Sequence, residues 1–217
     1  MDCLKNQAQA PVGYEDLITA FIRREMKTDA AHDINHVQRV VNTARKLAQQ
    51  ENAELAVVVP AAYLHDCFTH PKNHPQRQLS SSIAATKAIE FLISIDYPDQ
   101  YLAAIHHAIV AHSFSANIAA ETLEAKIVQD ADRLDALGAV GIARCIQVGT
   151  SFARQLYSLE DPMCEHRAPN DKLYTIDHFF SKILQLDQKM HTAAAKQEAC
   201  RRKIFVLDYL EQLKTEL

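Results

Sequence analysis

The amino-acid sequence predicts an all-α protein, and two observations carry that expectation. Apolar residues recur at helical spacing in segment after segment of the 217-residue chain, the pattern of helices that bury one face. Glycine is scarce, with 4 residues where an average chain carries about 7%, which argues against a turn-rich all-β fold. Composition is otherwise ordinary for a globular protein, 48% apolar and 23% charged. The length suits one domain, or one domain with an appendage, and is enough to bury a sizeable core.

The elements follow in order. A first helix is expected over residues 14–27, with Leu17, Ile18, Phe21 and Ile22 at helical spacing. A second is expected over 34–50, where His36, Val37, Val40, Val41, Ala44 and Leu47 form one stripe and Asp33 is placed to cap the free N–H groups of the first turn. Residues 53–67, AELAVVVPAAYLHDC, are apolar on nearly every side, as in a buried central element. The run Val57–Val59 favours a strand locally and Pro60 opposes either regular form. The helical neighbours favour a helix, irregular near Pro60. A loop rich in His, Lys and Arg spans 68–78, and helices are expected at 79–95, 98–112 and 119–132, the last continuing or restarting through Gly149. A second loop covers 159–171, before closing helices at 173–188 and 191–215.

Several function classes are excluded early. The formal net charge is −4, from 23 Lys+Arg against 27 Asp+Glu, without the basic footprint of a polynucleotide-binding domain. No run of 18 apolar residues suggests a membrane span, and the N-terminus lacks the basic-then-apolar pattern of a secretion signal. Five widely spaced cysteines form no C-x-x-C pair and are expected to be reduced thiols in the cytoplasm. Neither common glycine-rich phosphate loop can be written with Gly13, Gly138, Gly141 and Gly149.

Histidine points to chemistry instead. Eight of the 11 histidines lie in residues 32–112, and histidines clustered with acids are the raw material of metal or proton-transfer sites. The dipeptide His-Asp occurs at 32–33 and 65–66, and only context separates the copies. His65 and Asp66 end the most apolar segment, where burying a lone carboxylate costs several kcal/mol. A divalent metal would remove that cost; alternatively, both side chains face solvent at a helix end. His36 shares the inner stripe of its helix with Val37 and Val40, either as a satisfied core histidine or as a ligand. His32 lies one turn earlier, near the helix entrance. In 126–138, KIVQDADRLDALG, helical geometry puts Asp135 within about 40° of the centre of the apolar face and Asp130 and Asp132 about 100° out on opposite sides. At least one acid is then buried, and geometry does not select which one binds a metal. Of the histidines in 106–112, His112 is best placed to reach a cleft, whereas His106 and His107 read as core or capping residues.

In this order, His36, His65-Asp66 and Ala131-Asp132-Arg133-Leu134 resemble the H…HD…D signature of the HD-domain superfamily of metal-dependent phosphohydrolases, at spacings of 29 and 66 residues. A likeness to the small bacterial HD hydrolases of nucleotides, some of them triphosphate pyrophosphohydrolases, covers nearly the whole chain. It rests on His-Asp-x-x-His-x-x-Arg-Val at 32–40, Lys-Asn-His-Pro-Gln-Arg at 72–77, Ala-His-Ser-Phe-Ser at 111–115, Gln-Asp-Ala-Asp-Arg-Leu at 129–134 and Asp-His-Phe-x-x-Lys-Ile-Leu at 177–184. The resemblance implies an HD helical bundle in one domain over 1–217, with a metal-binding core at about 28–150 and C-terminal helices at about 151–217 packing as a cap. It implies a divalent ion (manganese, magnesium, cobalt or iron) on His36, His65, Asp66 and Asp132, with Asp66 and His65 in catalysis. His32, Asp33 and Asp135 would support these ligands. Arg39, Lys72, Arg77, His112, Arg133 and Lys182 are candidates to bind a phosphorylated small molecule, most simply a nucleotide. A second metal on His70, His74, His106, His107 or His112 matches no pattern in the chain. A di-iron oxygenase of the same superfamily and a nucleotide-sensing module without turnover are the alternative functions, and the expected state is monomer or homodimer.

Overall fold

A computed structural model describes residues 13–26, 33–70, 74–113 and 116–217. Among these the chain forms nine α-helices and no strand. The described residues fall into two compact units, divided between Asp132 and Arg133. The first holds α1 (Tyr14–Glu25), α2 (Ile34–Glu51), α3 (Leu55–Leu64), α4 (Ser80–Ser94), α5 (Asp99–His112) and most of α6 (Leu123–Leu134). The second holds the end of α6, then α7 (Gly138–Ser151), α8 (Asp177–Ser181) and α9 (Ala193–Thr215). No described helix is long and apolar enough to cross a membrane.

The first unit is built around α3. All ten of its residues are buried, and it packs against α1, α2, α4 and α5. A segment buried on every side must satisfy its own backbone groups, which a helix does and a lone strand does not; this overrides the β-branched run. Pro60 sits inside α3 and has no N–H to offer the carbonyl of Ala56, one turn earlier. The buried Tyr97 hydroxyl donates to that carbonyl at 2.6 Å. Tyr97 is held in turn edge-on to Tyr14, at 4.9 Å between ring centroids. On α1, Ile18, Phe21 and Ile22 are buried and Phe21 stacks on Phe91 at 4.0 Å. Leu17, expected on that face, is instead 48% exposed, because it lies about 100° from Ile18 on a narrow apolar stripe. The expected stripe of α2 is buried as read, and the helix ends on Asn52 in the left-handed conformation (φ 58°), which Asn tolerates better than most residues.

In the second unit the expected helix over 173–188 is broken into α8 and a 3-10 segment, Ile183–Lys189. The backbone explains the difference. The break falls at Lys182, whose φ of −139° and ψ of −56° leave the helical region, while the N–H groups of Thr175 and Ile176, just before α8, donate to the carbonyls of Gln155 and Leu156. Buried Asp177 is then fixed by Arg167, whose Nη2 donates to Oδ1 at 2.8 Å. Gly149 allows the resulting close approach, since a Cβ there would lie 2.2 Å from Thr175 Oγ1.

Candidate metal centre

Four helix ends converge in the first unit. At the start of α2, Asp33 Oδ1 accepts the backbone N–H of His36 at 2.7 Å. Asp33 therefore acts on His36 through the backbone, setting the turn from which the ring projects. At the end of α3, His65 Nδ1 lies 2.8 Å from the carbonyl of Ala62. At the end of α5, His112 Nδ1 lies 2.6 Å from the carbonyl of Ile109. A carbonyl only accepts, so both Nδ1 atoms carry the proton. Each histidine caps the last turn of its own helix, and in the neutral ring Nε2 is left as a lone-pair donor to a cation. Asp132 stands in the last turn of α6.

The ring nitrogens and carboxylates meet. His36 Nε2 is 3.4 Å from Asp132 Oδ1 and 3.8 Å from Asp66 Oδ2. His65 Nε2 is 3.5 Å from Asp66 Oδ2 and 4.0 Å from Asp132 Oδ1. His65 Nε2 is buried and makes no hydrogen bond. His112 Nε2 is 3.5 Å from the other oxygen of the same carboxylate, Asp66 Oδ1, and its ring stands edge-on to His65 at 4.9 Å. The two histidine side chains of the inner pair are 1% and 0% exposed, whereas Asp66 is 11% and Asp132 32% exposed. The cluster thus opens on its acidic side.

Burial pushes the His65 ring down to about 4, against the pull of Asp66, so it is neutral at ordinary pH. Burial disfavours the charged form of Asp132, but its hydrogen bond with His36 and the neighbouring His65 and His112 outweigh this and hold the carboxyl well below the usual range. Burial also opposes a charge on His112; hydrogen bonding to Asp66 outweighs it and raises the ring's affinity for a proton.

This donor set fits a divalent cation. Two carboxylates and a neutral imidazole nitrogen present only lone pairs to one another, and a shared cation turns that repulsion into binding. Metal–ligand distances of about 2.0–2.2 Å leave neighbouring ligand atoms roughly 3–4 Å apart, as the separations here are. His36, His65 and Asp66 each offer a ligand atom within 4.8 Å of the others.

The other site candidates are placed as follows. Arg39 lies on α2 one turn after His36, partly exposed. Arg77 Nη1 lies 3.5 Å from the carbonyl of His70. His32 and Lys72 lie outside the described residues. Three candidates belong to the second unit. Arg133 donates to the carbonyl of Lys189 and meets His191, Lys182 pairs with Asp171 at 3.4 Å, and Asp135 is held by Arg144 at 2.7 Å. Asp135 follows α6 rather than lying on it, because the helix stops at Leu134, so its expected angular place does not apply. Asp130, expected at the edge of the apolar face, is fully buried. His107 Nε2 accepts the backbone N–H of Glu121 at 3.1 Å. Residue spacing gave no sign that Arg144 would meet Asp135, a contact between residues separated by the break after α6.

Comparison with known proteins gives the family of the chain. Residues 33–137 match the family model of the HD domain. The uncharacterized protein YpgQ of Bacillus subtilis (strain 168) is 33% identical over 87% of this chain and 85% of its own length. Its crystal structure in complex with ADP superimposes with a TM-score of 0.72, at 31% identity over 93% of this chain and 97% of that one. An HD-superfamily hydrolase from Bacillus thuringiensis superimposes with a TM-score of 0.71, at 31% identity over 93% of this chain and 95% of that one. An all-helical bundle with histidines and aspartates gathered at its helix ends defines the class. Within it, the chain belongs to the HD-domain superfamily, alongside proteins described as HD-superfamily hydrolases.

Proposed function

We propose that the protein is a metal-dependent phosphohydrolase acting on a nucleotide or a related phosphate ester. One observation carries the reading: the buried His65 Nε2 makes no hydrogen bond and turns its lone pair toward carboxylate oxygens of Asp66 and Asp132 at 3.5 and 4.0 Å, an arrangement that a cation would satisfy. His36, His65, Asp66 and Asp132 would hold a divalent ion, with manganese, magnesium, cobalt and iron all suited to mixed nitrogen and oxygen ligands. The bound ion supplies Lewis-acid polarisation of a phosphoryl oxygen and a water of lowered pKa. The chain supplies the rest. Asp66 steers the attacking water with the oxygen turned toward His112, and His112 takes up or returns a proton there. Arg39, Lys72 and Arg77 offer positive charge to the phosphate oxygens, since phosphoryl transfer depends on positioning and charge stabilisation. That YpgQ was crystallised with ADP supports a nucleotide over a simple phosphomonoester.

The test is turnover of nucleoside mono-, di- and triphosphates by the purified protein with manganese, assaying phosphate and pyrophosphate separately, before and after chelation. Hydrolysis that disappears on chelation and returns with a divalent ion is the expected result. Full activity after exhaustive chelation would overturn the metal; no turnover of any phosphate by metal-loaded protein would overturn the enzyme.

A further inference from the structure

Of the four residues read as metal ligands, Asp132 is the one nearest open solvent. It is the most exposed of the four and stands two residues from the C-terminal end of α6, in the turn where helices fray. That end is nevertheless held. Arg202, from α9, donates Nη1 to the carbonyl of Leu134 at 2.6 Å, and its stem lies against Gly138, where a Cβ would meet Cγ at 3.3 Å. The same guanidinium is aimed by Glu198, whose Oε1 accepts Nε at 2.7 Å. Arg144, from α7, donates to both the carboxylate and the backbone carbonyl of Asp135, at 2.7 and 3.2 Å. The Leu134 carbonyl thus accepts both the backbone N–H of Leu137, at 3.1 Å, and the Arg202 guanidinium, while Arg144 fixes the residue that follows the helix; positive charge is favoured at this end by the helix dipole.

We propose that Arg202, with Arg144 beside it, is a positioning residue for the metal site. By pinning the end of α6 it holds the backbone of Asp132, two residues upstream of Leu134, in the conformation that presents Oδ1 to the cluster. The inference rests on the reading of His36, His65, Asp66 and Asp132 as metal ligands. It gives a role in ligation to a residue 70 positions beyond Asp132 in sequence. Arg202 touches no ligand side chain; it acts through the helix that carries one.

The experiment is cobalt(II) titration of the full chain, read by visible absorption and by calorimetry, across a double-mutant cycle. Arg202→Met is expected to weaken cobalt binding roughly tenfold, the low end of what outer-shell substitutions cost. The absorption of its saturated form should shift, because a ligand is lost or displaced. Arg202→Lys, which restores a cationic donor, should recover most of the affinity. In an Asp132→Asn background, Arg202→Met should change cobalt affinity no further. A merely structural Arg202 would lower affinity equally in both backgrounds, and that result overturns the proposal, as does unaltered cobalt binding by folded Arg202→Met. Should Arg202→Met fail to fold, Arg202→Leu, which also removes the donor, carries the same comparison. Failure of the wild-type chain to bind cobalt would instead overturn the ligand assignment itself, so the two readings fail in different ways.

Discussion

Tyr97→Phe removes one oxygen atom from the molecule and tests how α3 tolerates its proline. The carbonyl of Ala56 is the acceptor that residue 60 would serve in an uninterrupted helix, and Pro60 cannot serve it. The Tyr97 hydroxyl does so at 2.6 Å, in surroundings buried enough to push the phenol well above its ordinary range. The substitution leaves a buried carbonyl with no donor, a loss of about 1–3 kcal/mol, at the upper end because no water shares the site if the packing stays closed. In urea denaturation followed by helical circular dichroism, the midpoint should fall with the slope unchanged. In thermal scans, each kcal/mol should lower Tm by roughly 2–4 °C for a chain of this size. The cycle with Pro60→Ala makes the cause specific. Alanine restores an N–H at position 60, so it should stabilise the Tyr97→Phe protein by about 1 kcal/mol more than it stabilises the wild type. A Tyr97→Phe protein as stable as the wild type refutes the reasoning, and so does an equal effect of Pro60→Ala in both backgrounds.

The remaining predictions concern the site. Asp132→Asn should weaken divalent metal binding severely without abolishing it, with little change in helical content, whereas Asp130→Asn should retain the metal and lose stability, because Asp130 is fully buried; calorimetry and urea denaturation separate them, and metal affinity kept in Asp132→Asn but lost in Asp130→Asn would reverse the assignment. Cys67→Ser should keep most turnover, since burial pushes that thiol up to about 12 and leaves no thiolate; a loss of a hundredfold or more with fold and metal intact would show a thiol role. In the metal-free protein, the His65 pKa is depressed from 6.5 to about 4, so the unfolded chain binds the extra proton and His65 makes stability fall as pH drops from about 6.5 toward 4. His65→Asn should flatten that part of the pH dependence of the urea midpoint, and an unchanged slope would refute the buried neutral ring.

The helical class, the stripe of α2 and the capping by Asp33 were legible because each depends on neighbours three or four residues apart. The meeting of His36, His65, Asp66 and Asp132 was suggested by resemblance rather than by spacing, since helical periodicity alone could not choose among Asp130, Asp132 and Asp135. The misplaced features have long-range causes. The segment 173–188 breaks at Lys182 after being tied to residues 155 and 156 through Thr175 and Ile176, the full burial of Asp130 comes from packing that a single-helix projection does not contain, and the tie between Arg144 and Asp135 from the end of α6 at Leu134. His112 was legible as a residue near a cleft, but its turn into the cluster depends on its Nδ1 finding the carbonyl of Ile109.

The placing of every cluster residue at a helix terminus bears on when the site comes into being. Local helix formation brings none of these side chains together, because the chain between His36 and Asp132 covers 96 positions and the separate helices must dock before the nitrogens and oxygens meet. An expanded state with helices intact but packing lost, such as acid produces in many proteins, would keep its far-ultraviolet signal and lose its metal. Cobalt absorption in a refolding experiment would accordingly trail the recovery of helix, timing the docking of helices rather than their formation. A metal bound there would work as a late fastener, drawing the closed arrangement out of a mixture of partly docked ones, with a hold that grows with the concentration of free ion.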